Sequence, residues 1–279
     1  GTIIGLIIIA IGAMCQSSSY VPINRIKDWS WESYWVVQGV FAWLLLPFLG
    51  AMLAVPAGES LLGLFASVPS FNLWMTVFFG VLWGIGGLTF GLSMRYLGVA
   101  LGQSIALGTC AALGTIMGPV LMNVFFPELG ALESLTFAVV LGVVVTLVGI
   151  AVIGVAGSMK ASTLSEEEKK IAVRDFNFPK GLAIALLAGF MSGCFNVGLE
   201  FGKDINFGSL TDPMFRTLPA TLLVTVGGFF TNAVYCFWQN QRNGTWSDYG
   251  KAEVWKNNLF FCLLAGALWY SQFFGLSLG

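Results

Sequence analysis

Asn196 and Glu200 lie four residues apart inside an apolar stretch, so a helix puts the amide and the carboxylate on one face. Lys203 follows three residues later, close enough to pair with Glu200 at the helix end. If Glu200 instead faces a cavity, it can carry a coupled proton. Other apolar stretches hold uncharged polar groups: Gln16, Ser17, Ser18 and Ser19, then Gln38, Gln103, Ser104, Asn123, Thr225, Asn232 and Gln272. Polar groups at membrane depth cost free energy unless they are satisfied, so they face the interior of a bundle. Neutral donors and acceptors suit the hydroxyls of an uncharged sugar, and Trp83 and Trp269 can stack on its apolar face. Gln16, Ser17, Trp83, Asn196, Trp269 and Gln272 are therefore the expected substrate contacts, with Glu200 the expected proton carrier. For any one of them, interhelical hydrogen bonding and packing is the simpler role.

Other chemistry is absent from the sequence. It has no histidine, and no two carboxylates share the core of one apolar stretch, which leaves no dyad for an intramembrane enzyme. The five cysteines, Cys15, Cys110, Cys194, Cys236 and Cys262, lie in apolar runs without metal-ligand spacing. Gly84-Ile85-Gly86-Gly87 follows no strand and is not a dinucleotide fingerprint, so no cofactor is expected. A net charge of −1 leaves no basic face for nucleic acid.

The elements that position these residues follow from composition. Of 279 residues, 57% are apolar and only 10% charged, with a mean hydropathy of +0.83. Soluble domains carry roughly 25% charged residues, so the expected partner is the lipid bilayer. A spanning helix needs about 20 apolar residues. Eight such runs are read at 3–21, 34–55, 72–93, 99–126, 135–156, 181–202, 215–238 and 257–278. Pro47, Pro119 and Pro219 fall inside the second, fourth and seventh, where a kink can mark a pathway. The glycine pairs 80/84, 87/91, 98/102 and 114/118 have the spacing that lets helices approach closely. Eleven of the thirteen Lys and Arg residues fall in odd-numbered loops, which places those loops in the cytoplasm and the N-terminus outside. Trp29, Trp31, Trp35, Trp246 and Trp255 flank spans and suit the membrane interface.

The sequence also repeats. Gly5-Leu6 matches Gly181-Leu182 at an offset of 176, which sets Gln16 against Ser192 and Lys27 against Lys203. Leu82-Trp83 matches Leu268-Trp269, and Gly91-Leu92-Ser93 matches Gly275-Leu276-Ser277 with a two-residue slip. A repeat of five helices crosses the membrane an odd number of times, so the second copy is inverted, a transporter pattern with the site near the midplane. The expected organisation is a first five-helix repeat over 1–156, a cytoplasmic connector over 157–180, and a second repeat over 181–279 truncated after its third helix. The expected fold is an all-α polytopic membrane protein whose eight helices belong to a ten-helix bundle.

The segment Val21-Pro22-Ile23-Asn24-Arg25-Ile26-Lys27-Asp28-Trp29-Ser30-Trp31-Glu32 resembles the first cytoplasmic loop of bacterial L-rhamnose–proton symporters. Leu82-Trp83-Gly84-Ile85-Gly86, Gly91-Leu92-Ser93-Met94-Arg95-Tyr96-Leu97-Gly98 and Leu268-Trp269-Tyr270-Ser271-Gln272-Phe273-Phe274 resemble the same family, in order along the chain. The resemblance implies a ten-span inner-membrane carrier of the drug/metabolite transporter superfamily that takes up L-rhamnose with a proton. The rival readings are an exporter of small metabolites from the same superfamily and a membrane sugar sensor.

Overall fold

In lipid every backbone polar group must find its partner within its own segment, so long apolar runs become helices. A computed structural model describes residues 2–163, 165, 167–168 and 176–274, and among them there is no strand. Helix α1 spans Thr2–Ser18 and the short α2 Tyr20–Ile23. Helix α3, Trp31–Gly39, passes through a π-helical segment, Val40–Leu45, into α4, Leu46–Leu53. Then come α5 (Leu61–Ser67), α6 (Ser70–Leu97), α7 (Val99–Phe125), α8 (Phe137–Thr163), α9 (Phe178–Phe201), α10 (Leu218–Asn243) and α11 (Ala252–Tyr270).

Proline chemistry explains two departures from uniform helix. Pro47 has no N–H to give the carbonyl of Trp43, and just before it the ladder widens: the N–H of Leu46 bonds the carbonyl of Phe41, five residues back. Pro219 does not interrupt its span as expected. It sits in the first turn of α10, where its missing N–H has no helical partner to lose. Gly98 alone joins α6 to α7 with φ of +81°, a left-handed conformation that a side chain would strain.

Among the described residues, seven helical segments are long and apolar enough to cross a membrane, from Ile3–Ile23 through Pro213–Asn243. They match the first seven expected runs. The eighth run forms α11, which carries Glu253, Lys256, Asn257 and Asn258 in its opening turns and passes into a 3₁₀ turn at Ser271–Phe273. Of the charged connector, Glu166, Lys169, Lys170 and Arg174 lie outside the described residues, as do Gly275, Leu276 and Ser277 of the second repeat match.

The chain divides into two compact units. One comprises residues 1–81 and 202–279. Here α10 crosses the first half of α6 backbone to backbone: a methyl group on Gly80 would stand 2.2 Å from the carbonyl oxygen of Val224, and one on Gly227 would stand 2.2 Å from that of Val77. Gly266 of α11 lies against Ala42 in the same way. The other unit comprises residues 82–201. There α7 and α9 run side by side through Thr109 and Gly189, then Gly114 and Gly193. Leu97, Ile105, Ala106, Ala185 and Ala188 form its buried core. The close-packing role expected for glycine pairs holds at Gly80 and Gly114, whereas Gly87 and Gly91 face open space. Many outward-facing side chains are apolar, as lipid contact requires: Ile3, Ile7, Val145, Val148 and Val152 are all exposed.

Candidate functional site

The expected site residues divide between the two units. In the first, α1 passes over the end of α11: a methyl group on Gly12 would stand 3.2 Å from Cα of Gln272. Gln16, one turn further along α1, is half-buried. Gln272 is half-buried too, and its Nε2 donates to the carbonyl of Trp269 at 2.8 Å. Ser17 is exposed, and its hydroxyl donates to the carbonyl of Ala13 at 2.8 Å, so its only donor is spent on its own helix. Trp269 belongs to a run of aromatic rings: Trp31 stacks on Trp35, and Trp35, Trp43, Trp269 and Phe273 follow edge to face at centroid separations of 5.6, 6.2 and 5.2 Å. The Trp35 indole N–H donates to Asn232 Oδ1 at 3.0 Å and fixes that ring.

In the second unit, Trp83 meets Phe195 edge to face at 5.1 Å. Asn196 and Glu200 share one face of α9, as their spacing predicts. Asn196 Nδ2 would stand 2.7 Å from a methyl group on Gly114, and Cβ of Glu200 3.6 Å from one on Gly118. The glycine pair of α7 therefore makes room for the two polar side chains of α9. The same unit has its own close crossing, where a methyl group on Gly86 of α6 would stand 2.5 Å from the backbone nitrogen of Ser192 on α9.

One polar constellation was not foreseen. At one end of the first unit, Asp248 accepts the Ser30 amide and hydroxyl at 2.8 Å each, the Ser33 hydroxyl at 2.9 Å and Lys251 Nζ at 2.6 Å. Burial pushes this carboxyl upward, but the hydrogen bonds from Lys251, Ser30 and Ser33 outweigh it and hold it down at about 2. Asn240 donates to Ser33 and Thr245 and accepts from the Tyr249 hydroxyl. Glu32 accepts from Asn243 and Thr245 at 3.0 and 2.8 Å. Asn258 bonds both the N–H and the carbonyl of Lys27. Trp29, expected at the membrane interface, is buried here between Trp255 and Tyr249. Together these bonds clasp the 24–33 loop, the end of α10 and the start of α11. The bonds that tie residues 27–33 to α10, α11 and the turn between them join partners more than 200 residues apart, so no local spacing announces them.

The expected site residues within the long apolar helices are amides, indoles, a hydroxyl and one carboxylate. No group of His, Cys, Asp and Glu able to hold a metal occurs among the described residues. The family model described as L-rhamnose-proton symport protein matches residues 1–279. The chain belongs to that family. The L-rhamnose-proton symporter of Yersinia pestis bv. Antiqua (strain Antiqua) is 32% identical over 279 residues, which cover 98% of this chain and 78% of that protein. The L-rhamnose-proton symporter of Yersinia pseudotuberculosis serotype I (strain IP32953) matches at the same identity and coverage. No solved structure matches.

Proposed function

We propose that this chain is a secondary active transporter that imports L-rhamnose, or a closely related sugar, together with a proton across the bacterial inner membrane. The observation that carries the reading is the family match along the whole chain. The polar groups fit it. On this reading Gln16, Gln272 and Asn196 offer amides to sugar hydroxyls, and Trp269 and Trp83 offer rings to its C–H face. Ser17 contributes through its acceptor lone pairs, since its donor is occupied. Glu200 takes the proton on the outside, which removes a charge from membrane depth, and releases it inside. Each ligand must bias the same two-state equilibrium for the two fluxes to couple.

The architecture proposed is a ten-span bundle of two inverted five-helix repeats, of which α11 supplies the eighth span. The first repeat covers 1–156, a cytoplasmic connector covers 157–180, and the second repeat begins at 181. Paired helix crossings support this. At the offset that sets Leu82 on Leu268, Gly86 falls on Gln272; at the offset of the other match, Ser192 falls on Gln16. The Gly86–Ser192 crossing in one unit thus corresponds to the crossing of α1 with Gln272 in the other. The loop charges support odd-numbered loops in the cytoplasm and the N-terminus outside.

The test is to express the protein in a bacterium lacking L-rhamnose uptake and add L-rhamnose to a lightly buffered anaerobic suspension. External alkalinisation is expected. Labelled-sugar uptake without a pH change would replace proton coupling with uniport or another ion. Neither signal, with the protein present in the membrane, would remove the substrate assignment. Glu200→Gln is expected to abolish accumulation against a gradient while leaving downhill sugar exchange; accumulation at the wild-type level would rule out Glu200 as the proton carrier.

A further inference from the structure

The seam between α3 and α11 holds a polar group that nothing described so far uses. Gln38 is 3% exposed, and its Oε1 has no hydrogen-bond donor among the described residues. Its place on the helix is fixed by its neighbours one turn either side. Four residues before it, the carbonyl of Tyr34 accepts from Cys262 Sγ of α11 at 3.8 Å. Four residues after it, the backbone of Ala42 lies against Gly266 of α11. Gln38 therefore sits on the face of α3 that α11 covers. A bilayer-spanning segment has no bulk water to supply the missing donor, and a carbonyl oxygen buried in this way is rare in folded proteins.

Two further observations distinguish the position from a packing defect. The helix loses its α register immediately after it, in the π segment Val40–Leu45, a distortion that recurs at functional sites. That segment carries Trp43, whose ring lies over Gly39, within 2.6 Å of a methyl group placed there, and edge-on to Trp269 at 6.2 Å. An unpartnered acceptor next in sequence to the glycine that Trp43 covers suits a pyranose, which has hydroxyl donors on its edge and C–H groups on its face.

We infer that Gln38 is a specificity-determining residue of the sugar site, its Oε1 accepting one hydroxyl of the transported sugar. The inference rests on the sugar-transport reading and adds a contact to it. It differs from the proton-carrying role of Glu200, because an amide does not titrate. It also explains why a donorless oxygen persists in the seam: the substrate is its donor.

The experiment measures L-rhamnose binding to the purified protein by tryptophan fluorescence, together with binding of its 2-, 3- and 4-deoxy analogues, for wild type and Gln38→Met. Methionine keeps the length of the side chain and removes the acceptor. The variant is expected to bind L-rhamnose about tenfold more weakly, with a thermal midpoint no lower than wild type, because an unpartnered polar atom has been removed. One deoxy analogue is expected to lose about tenfold on wild type and nothing further on the variant, a pattern that a structural role does not produce. Binding by Gln38→Met within twofold of wild type would overturn the inference alone and assign the oxygen to a water. So would a deoxy penalty that is unchanged in the variant. Absence of L-rhamnose binding by wild type would overturn both this inference and the transport reading. If Gln38→Met does not purify as a folded protein, Gln38→Ala, which only deletes atoms, carries the same comparison.

Discussion

The two units share glycine crossings and differ in what is added to them. In residues 82–201 the helices meet through glycine, with Gly189 against Thr109, Gly193 against Gly114 and Gly86 against Ser192. The hydroxyls of Thr89, Ser93, Thr115 and Thr146 bond back to carbonyls of their own helices. In the unit built from 1–81 and 202–279, glycine crossings are joined by the clasp around Asp248, Asn240 and Glu32. Glycine seams gain dispersion energy from close approach and have no directional bond to break when one helix slides over another. A clasp of charge-assisted hydrogen bonds fixes register at one end. The contrast predicts that the clasped end is the stiffer part of its unit and that the glycine seams are the surfaces along which helices can shear.

Three substitutions sharpen or break this contrast. Gly189→Leu drives a side chain into Thr109 and the carbonyl of Ala106, where even a methyl group would stand within 2.6 Å. It is expected to cost about 3 kcal/mol or more, or to prevent folding, read as the thermal midpoint of purified protein. A variant as stable as wild type would mean that this seam is not close-packed. Asp248→Asn weakens four hydrogen bonds at once and is expected to cost about 2 kcal/mol near neutral pH. The sign follows from a folded-state value of about 2 against 3.8 in the free group. Its contribution is complete above about pH 4 and is lost as pH falls toward 2. Unfolding midpoints measured between pH 5 and pH 2 should therefore converge for wild type and Asp248→Asn; parallel curves would show that the carboxylate charge does not hold the clasp. Lys251→Met removes the partly exposed partner of that carboxylate together with its bond to the carbonyl of Asp28, and is expected to cost about 1 kcal/mol, less in high salt. A larger loss, insensitive to salt, would place Lys251 at the heart of the clasp.

Much of the fold was legible because lipid permits so little. Long apolar runs gave the first seven spans within a few residues, and Pro47 marked the place where the ladder widens. The eighth run was harder to grade, since Glu253, Lys256, Asn257 and Asn258 interrupt the opening turns of a helix that is continuously apolar only from Leu259. The Asn196–Glu200 face was readable from helical spacing alone. Ser17 was not, because a serine inside a helix can give its proton to the preceding turn. The clasp escaped for a different reason: Ser33 and Asp248 are joined by a bond spanning 215 residues, and their types and local spacing match an ordinary polar loop.

The single residue between α6 and α7 bears on how the protein is made. With Gly98 as the whole connection, neither helix has slack to settle while its neighbour is still in the ribosome. The two helices are expected to pass from the translocation machinery into lipid as one hairpin, with the left-handed turn at their tip forming during synthesis. A bulky residue at position 98 would then lower the yield of inserted protein before it affected transport by the molecules that succeed.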